Sequence, residues 1–98
     1  MFEYEEAKRL EGEAFRIAVG DGPALDVVLV MVKALERGNR PAQFRDPYKL
    51  HFKGTKGVRG PQATYRLTHP ALGTREMFLV PVAHDRETDE YTYEAIFN

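Results

Sequence analysis

The apolar positions of this chain fall into short blocks with two different periods. Near the amino end Tyr4, Ala7 and Leu10 share one helical face while Glu3, Glu5, Glu6, Lys8 and Arg9 turn away from it, and Gly12 follows as a stop. That spacing predicts one short helix over residues 2–10. From residue 13 the period changes to two: Phe15, Ile17 and Val19 point one way and Arg16 with Ala18 the other, which predicts a half-buried strand. Gly20, Asp21, Gly22 and Pro23 supply a tight reversal, and residues 25–35 follow as the longest strand, apolar on both faces between Val27 and Val32. A strand of that kind is central in its sheet or faces a second protomer.

Residues 36–47 form a loop by their Gly38-Asn39 pair and by Pro41 and Pro47, and the loop is long for a β domain. Beyond it Tyr48, Leu50 and Phe52 alternate with Lys49, His51 and Lys53, a strand with one wet and basic face. A glycine-rich loop over 54–61 leads to a strand at 64–68, a turn through His69, Pro70 and Gly73, and a hairpin partner at 75–82. Pro81 within that partner requires an edge or a bulge, because proline has no N–H for the ladder. A polar turn at 85–89 and a strand at 91–97 complete the pattern. About six strands and one short helix predict an all-β, β-rich single domain over residues 1–98, an antiparallel barrel or sandwich. The expected interior is Phe15, Ile17, Leu29, Leu50, Phe52, Leu67, Phe78, Val80 and Phe97.

Composition narrows the function more than the fold. Ninety-eight residues build one core. With no cysteine, disulfides and thiolate metal sites are excluded, and with no serine either, the usual nucleophiles are absent. The longest apolar run, 27–32, is far short of the roughly 20 residues of a membrane helix, and the acidic start Met1-Phe2-Glu3-Tyr4-Glu5-Glu6 has no basic and apolar leader. Synthesis in the cytoplasm and no membrane are the matching expectations, with later incorporation into a released particle left open.

Net charge is -1, which argues against a nucleic-acid partner, since that affinity depends on displacing counterions with excess Lys and Arg. The charges are nevertheless segregated. Arg37, Arg40, Arg45, Lys49, Lys53, Lys56 and Arg59 face the single acid Asp46 in their stretch. Asp85, Glu87, Asp89, Glu90 and Glu94 face Arg86 alone, and the amino end is acidic as well. Opposite poles of this kind pair within one molecule or between copies, so these residues are the expected interaction surface.

Other candidate chemistry is sparse. His51, His69 and His84 lack the i, i+4 helical spacing of a zinc site. His51 reads as a solvated strand residue and His69 as a cap on its turn. Asp85, Glu87 and Asp89 stand at positions one, three and five of a calcium loop, but Glu90 replaces its glycine and Ile96 its final acid. The loop at 54–61 does not fit phosphate-binding spacing, and Gly57-Val58-Arg59-Gly60 matches only a four-residue fragment of RNA-binding loops. Tyr48, Tyr65, Tyr91 and Tyr93 fall in strand patterns and read as core edges. No catalytic residue, cofactor or metal ligand is assigned.

The stretch Gly60-Pro61-Gln62-Ala63-Thr64-Tyr65-Arg66-Leu67-Thr68-His69-Pro70-Ala71-Leu72-Gly73, then Met77-Phe78-Leu79-Val80-Pro81-Val82 and Tyr93-Glu94-Ala95-Ile96-Phe97-Asn98, resembles a family of small uncharacterised bacterial domains. In that family a TYRL-HP-LG hairpin leads into FLVPV and a terminal YEA-FN strand. The resemblance implies genes often placed near phage-tail-collar-like proteins, and it carries no catalytic residues. Its motif positions read as turn and packing requirements, with Gly73 placed for a positive φ. The expected function is a non-enzymatic structural or adaptor domain that assembles with itself or with a phage-tail-like or appendage-like protein, through charged poles and a free sheet edge. The alternative is a small-ligand or carbohydrate-binding barrel, and a third is an enzyme of undefined type.

Overall fold

The computed structural model describes residues 2–36 and 47–97. Helix α1 (Tyr4–Arg9) precedes six strands: β1 (Ala14–Ala18), β2 (Leu25–Ala34), β3 (Tyr48–Gly54), β4 (Ala63–His69), β5 (Gly73–Asp85) and β6 (Glu90–Phe97). They close an antiparallel barrel in the order β1-β2-β3-β6-β5-β4, with β4 returning to β1. The closure decides between barrel and sandwich. It also corrects the expectation of a free edge strand, since each of the six strands has a neighbour on both sides over at least part of its length.

Alternation fills the interior. Phe15 and Ile17 of β1, Val27, Leu29 and Val32 of β2, and Leu50 and Phe52 of β3 are buried. Tyr65 and Leu67 of β4, Met77 and Leu79 of β5, and Tyr93 and Ala95 of β6 complete the ring. Phe78 and Val80 were expected inside, and they point outward instead. Residues 77–80 are all apolar, so alternation alone leaves their phase open; the pairing of Met77 with inward Tyr65 decides it. A register shift between Pro81 and Ala83 then resets the phase, which is the bulge that Pro81 required. Phe97 is half-buried, with its ring stacked on Tyr48 at 4.9 Å. The long strand β2 has a second shift between Leu29 and Met31, which leaves Val30 outside at 46% exposure.

Two polar clasps shut the ends. At one end Phe2 and Ala7 of the amino-terminal segment are buried, and the Tyr48 hydroxyl donates to the Phe2 carbonyl. The Glu11 carboxylate accepts the Val32 N–H at 2.8 Å, and that N–H together with Lys8 holds the Glu11 carboxyl below the ordinary carboxylate range. At the other end the loop 55–62 folds down over the barrel. Gly60 N–H donates to the Tyr93 hydroxyl at 2.7 Å, and Thr55 Oγ1 lies 2.9 Å from the same hydroxyl while donating to the Gly54 carbonyl. Thr55 has a single proton and gives it to Gly54, so the Tyr93 proton goes to Thr55. Tyr65 donates to the Pro61 carbonyl, and burial, then the neighbouring Tyr93, pushes its phenol up. Gly60 has to be glycine, because a Cβ there would stand 2.5 Å from the Tyr65 hydroxyl.

Candidate functional site

Side chains fill the barrel interior, so the candidate site lies on the surface. The outer face of β2, β3, β6 and β5 carries alternating rows. One row across the four strands reads Met31, His51, Glu94 and Val80; another places Lys49 beside Ile96. Two apolar flanks result, Val28, Val30 and Met31 on one side and Phe78, Val80 and Ile96 on the other. Phe78 is 52% exposed and Ile96 54%, large values for side chains of this kind. Strand β5 adds Val82, the residue squeezed outward by the bulge.

Between the flanks runs a charged band. The Glu94 carboxylate takes the His51 Nε2 at 2.8 Å and lies 3.8 Å from the Lys49 ammonium, with all three side chains mostly covered. Lys53 Nζ bonds Asp85 Oδ2 at 2.8 Å. The same Asp85 caps its own turn, its other oxygen accepting Glu87 N–H at 2.9 Å. These contacts, the Lys53 bond first, hold the Asp85 carboxyl down to about 2, and Asp85 in turn raises the Lys53 ammonium. The basic and acidic stretches therefore meet inside one molecule.

A groove of about 350 Å³ opens on this face between β5 and β6. Glu76, Met77 and Phe78 line one wall, and Ala95, Ile96 and Phe97 the other. A second groove, about 460 Å³, lies against Phe15, Arg16, Asp26 and His69. Its polar groups are already satisfied. His69 Nδ1 accepts the Ala71 N–H at 2.9 Å, so its Nε2 carries the proton and donates to Glu13 at 2.7 Å. Arg16 pairs with Asp26 at 3.2 Å. The β5–β6 groove is the better candidate, because it combines exposed apolar side chains with a carboxylate, Glu76, that is not paired among the described residues.

Of the charged surface expected from sequence, Arg37, Arg40 and Arg45 lie outside the described residues. Lys49, Lys53, Asp85 and Asp89 are engaged within the chain, Asp89 by His84 at 2.9 Å. Lys56, Arg59 and Glu87 are exposed, and Glu90 is half-buried near Lys53. His69 does cap its turn as expected, and it is also buried against Phe15. His51 is not a freely solvated residue; it is the partner of Glu94. The apolar flank was missed, because Phe78 and Val80 were placed inside. A sign was present in the sequence: β5 is apolar on both faces over 77–80, the same feature that drew attention to 27–32.

Among the described residues no three His, Asp or Glu side chains gather as a metal site, and no helix is long and apolar enough to cross a membrane. A family model described as a domain of unknown function, DUF6916, matches residues 2–97, so the chain belongs to that family of small domains. No curated protein and no solved structure matches the chain.

Proposed function

We propose that this barrel is a non-enzymatic structural or adaptor module that binds a protein partner, or a second copy, through the outer face of β5 and β6. The observation that carries the reading is the apolar cluster of half-exposed Phe78 and Ile96 with partly buried Val80 between them and a charged band. Contiguous apolar surface of this kind marks interaction sites on soluble domains. Covering Phe78 and Ile96 completely would contribute roughly 0.8–1.5 kcal/mol each, half the value of full burial, because about half of each is already covered. The resemblance of the hairpin and terminal strand to domains encoded near tail-collar-like proteins makes a tail-like or appendage-like protein the favoured partner.

The interior supports this reading over a ligand-binding barrel. Phe52, Tyr65, Leu79 and Tyr93 are fully buried where a ligand would sit, and the loop 55–62 is clasped across the mouth. Charge alone is the weaker contact, since Lys53 and Asp85 are spent on each other.

Sedimentation equilibrium of the wild-type chain and of Phe78→Asp, together with photo-crosslinking from position 96 in the native host, tests the proposal. The expected result is association or a defined crosslinked protein that disappears in Phe78→Asp, while circular dichroism stays unchanged. A monomer at all concentrations with no crosslinked protein at position 96 would overturn it.

A further inference from the structure

The groove between β5 and β6 is not a dimple in a continuous sheet. The pairing of these strands runs from Asp85↔Glu90 to Val80↔Glu94 and goes no further. Beyond that point β5 is paired on its other side, to β4 as far as Ala63↔Leu79, and β6 is paired on its other side to β3 as far as Tyr48↔Phe97. Residues 76–79 and 95–97 thus face one another with no register between them. The lining says the same in a different way. Neighbouring residues of a strand point to opposite faces, so a hollow on one face is lined by every second residue. Here residues of both faces line it, inward Met77 and Ala95 together with outward Phe78, Val80, Glu94 and Ile96. Met77 and Ala95 point into the core and Phe78 and Ile96 point out, so the hollow lies between the two strand edges.

A strand edge without a neighbour presents backbone N–H and C=O groups from alternate residues. The side chains around this opening are apolar except for two carboxylates. Glu94 is taken by His51 and Lys49 on the β3 side. Glu76 stands opposite Arg66, but that guanidinium donates to the Gly20 carbonyl at 2.8 Å, away from the opening.

Resting on the reading of this face as a protein-binding surface, we propose that the opening between β5 and β6 receives one extended segment of a different protein, which adds backbone hydrogen bonds to both walls. Its alternate side chains are apolar, packing on Phe78 and Ile96, and at least one is Lys or Arg, reaching Glu76. Backbone pairing supplies affinity and the side-chain pattern supplies selectivity, as in other cases of strand addition. The occupant is a separate protein because Glu76 seeks a basic, apolar strand that the described neighbours do not supply: Arg66 opposite it is turned to the Gly20 carbonyl, and Lys49 and Arg75 have partners on Glu94 and Glu6.

A phage-displayed library of random dodecapeptides, panned against the full chain, tests this. The enriched peptides are synthesised and titrated by fluorescence anisotropy. They should alternate β-branched or aromatic residues with polar ones and include a basic residue. Binding should fall tenfold or more with Phe78→Asp or with the milder Ile96→Thr, and several-fold with Glu76→Gln. Methylating alternate backbone nitrogens of the peptide should cost tenfold or more, which side-chain docking would not. Peptides that bind at Phe78 but ignore backbone methylation would overturn strand addition while leaving the surface reading intact. Peptides that reproduce this chain's own segments would make a second copy the occupant and overturn the assignment to a different protein. If no peptide depends on Phe78, the inference fails. If Phe78→Asp also leaves association and crosslinking unchanged, the surface reading fails with it.

Discussion

Tyr93→Phe removes a single oxygen from the middle of a polar relay that shuts the barrel. In the wild-type chain the order is Gly60 N–H to Tyr93, Tyr93 to Thr55, and Thr55 to the Gly54 carbonyl. Phenylalanine fills nearly the same space, so packing changes little. What changes is that Gly60, a buried residue, keeps an N–H with no acceptor. A buried donor left unsatisfied costs about 1–3 kcal/mol. Thr55 loses a donor to its oxygen but keeps its own bond to Gly54, so its share is smaller. A total of about 2 kcal/mol is expected, equivalent to a melting temperature lower by roughly 8–16 °C in a domain of this size. Urea unfolding should show a lower midpoint with an unchanged slope, and the Gly60 amide should lose its protection from hydrogen exchange. A loss under about 0.5 kcal/mol with Gly60 still protected would refute the direction assigned to the relay.

Two further outcomes concern the core and the charged band. Phe52→Ala, at a fully buried ring, should cost about 3–5 kcal/mol, whereas Phe97→Ala, at a half-buried ring stacked on Tyr48, should cost about 1–2 kcal/mol; equal losses in urea unfolding would contradict the placement of Phe97. Asp85 is held at about 2 against an ordinary 3.8, so its stabilising effect is present above the ordinary value and is lost as pH falls toward 2. Asp85→Asn should therefore flatten the decline in stability between about pH 4 and pH 2, as read from melting temperature against pH, and an unchanged slope would show that Lys53 and the turn amides do not hold this carboxyl.

The strands were legible because their signals are local. Phe15 with Ile17, and Tyr48 with Leu50 and Phe52, alternate cleanly, and both runs end at glycine, so strand bounds follow to within two residues except at the end of β5, which runs three residues past Val82. Gly73, expected to need a positive φ, has φ 72. What could not be read was which strands meet. That β6 lies between β3 and β5 depends on long-range pairing, which no local period records. The site suffered from a related ambiguity. Met77, Phe78, Leu79 and Val80 satisfy either phase of a strand, and the choice is made by Tyr65 on β4, twelve residues away in sequence from Met77. The charged stretches were visible as composition, but their mutual capture through Lys53 and Asp85 depends on a turn folding back beside β3.

The strand order is two three-stranded meanders, β1-β2-β3 and β6-β5-β4, joined by a single crossing, the loop 55–62. Each meander is built from neighbours in sequence and can form early, whereas both joints between them are distant in sequence and must wait for loop closure. The joints are unequal: β3 and β6 pair along the whole of β3, while β1 and β4 pair over Arg16, Ile17 and Ala18 alone. With the fewest pairings, the short joint is expected to zip last in folding and to open first in a fluctuation. If the crossing loop straightens as well, the two halves of one molecule become interchangeable with those of another. Two such opened molecules can recover every pairing of the closed form by exchanging halves. The small relay of Tyr93, Thr55 and Gly60 bends the crossing back onto the barrel, and so opposes any such exchange.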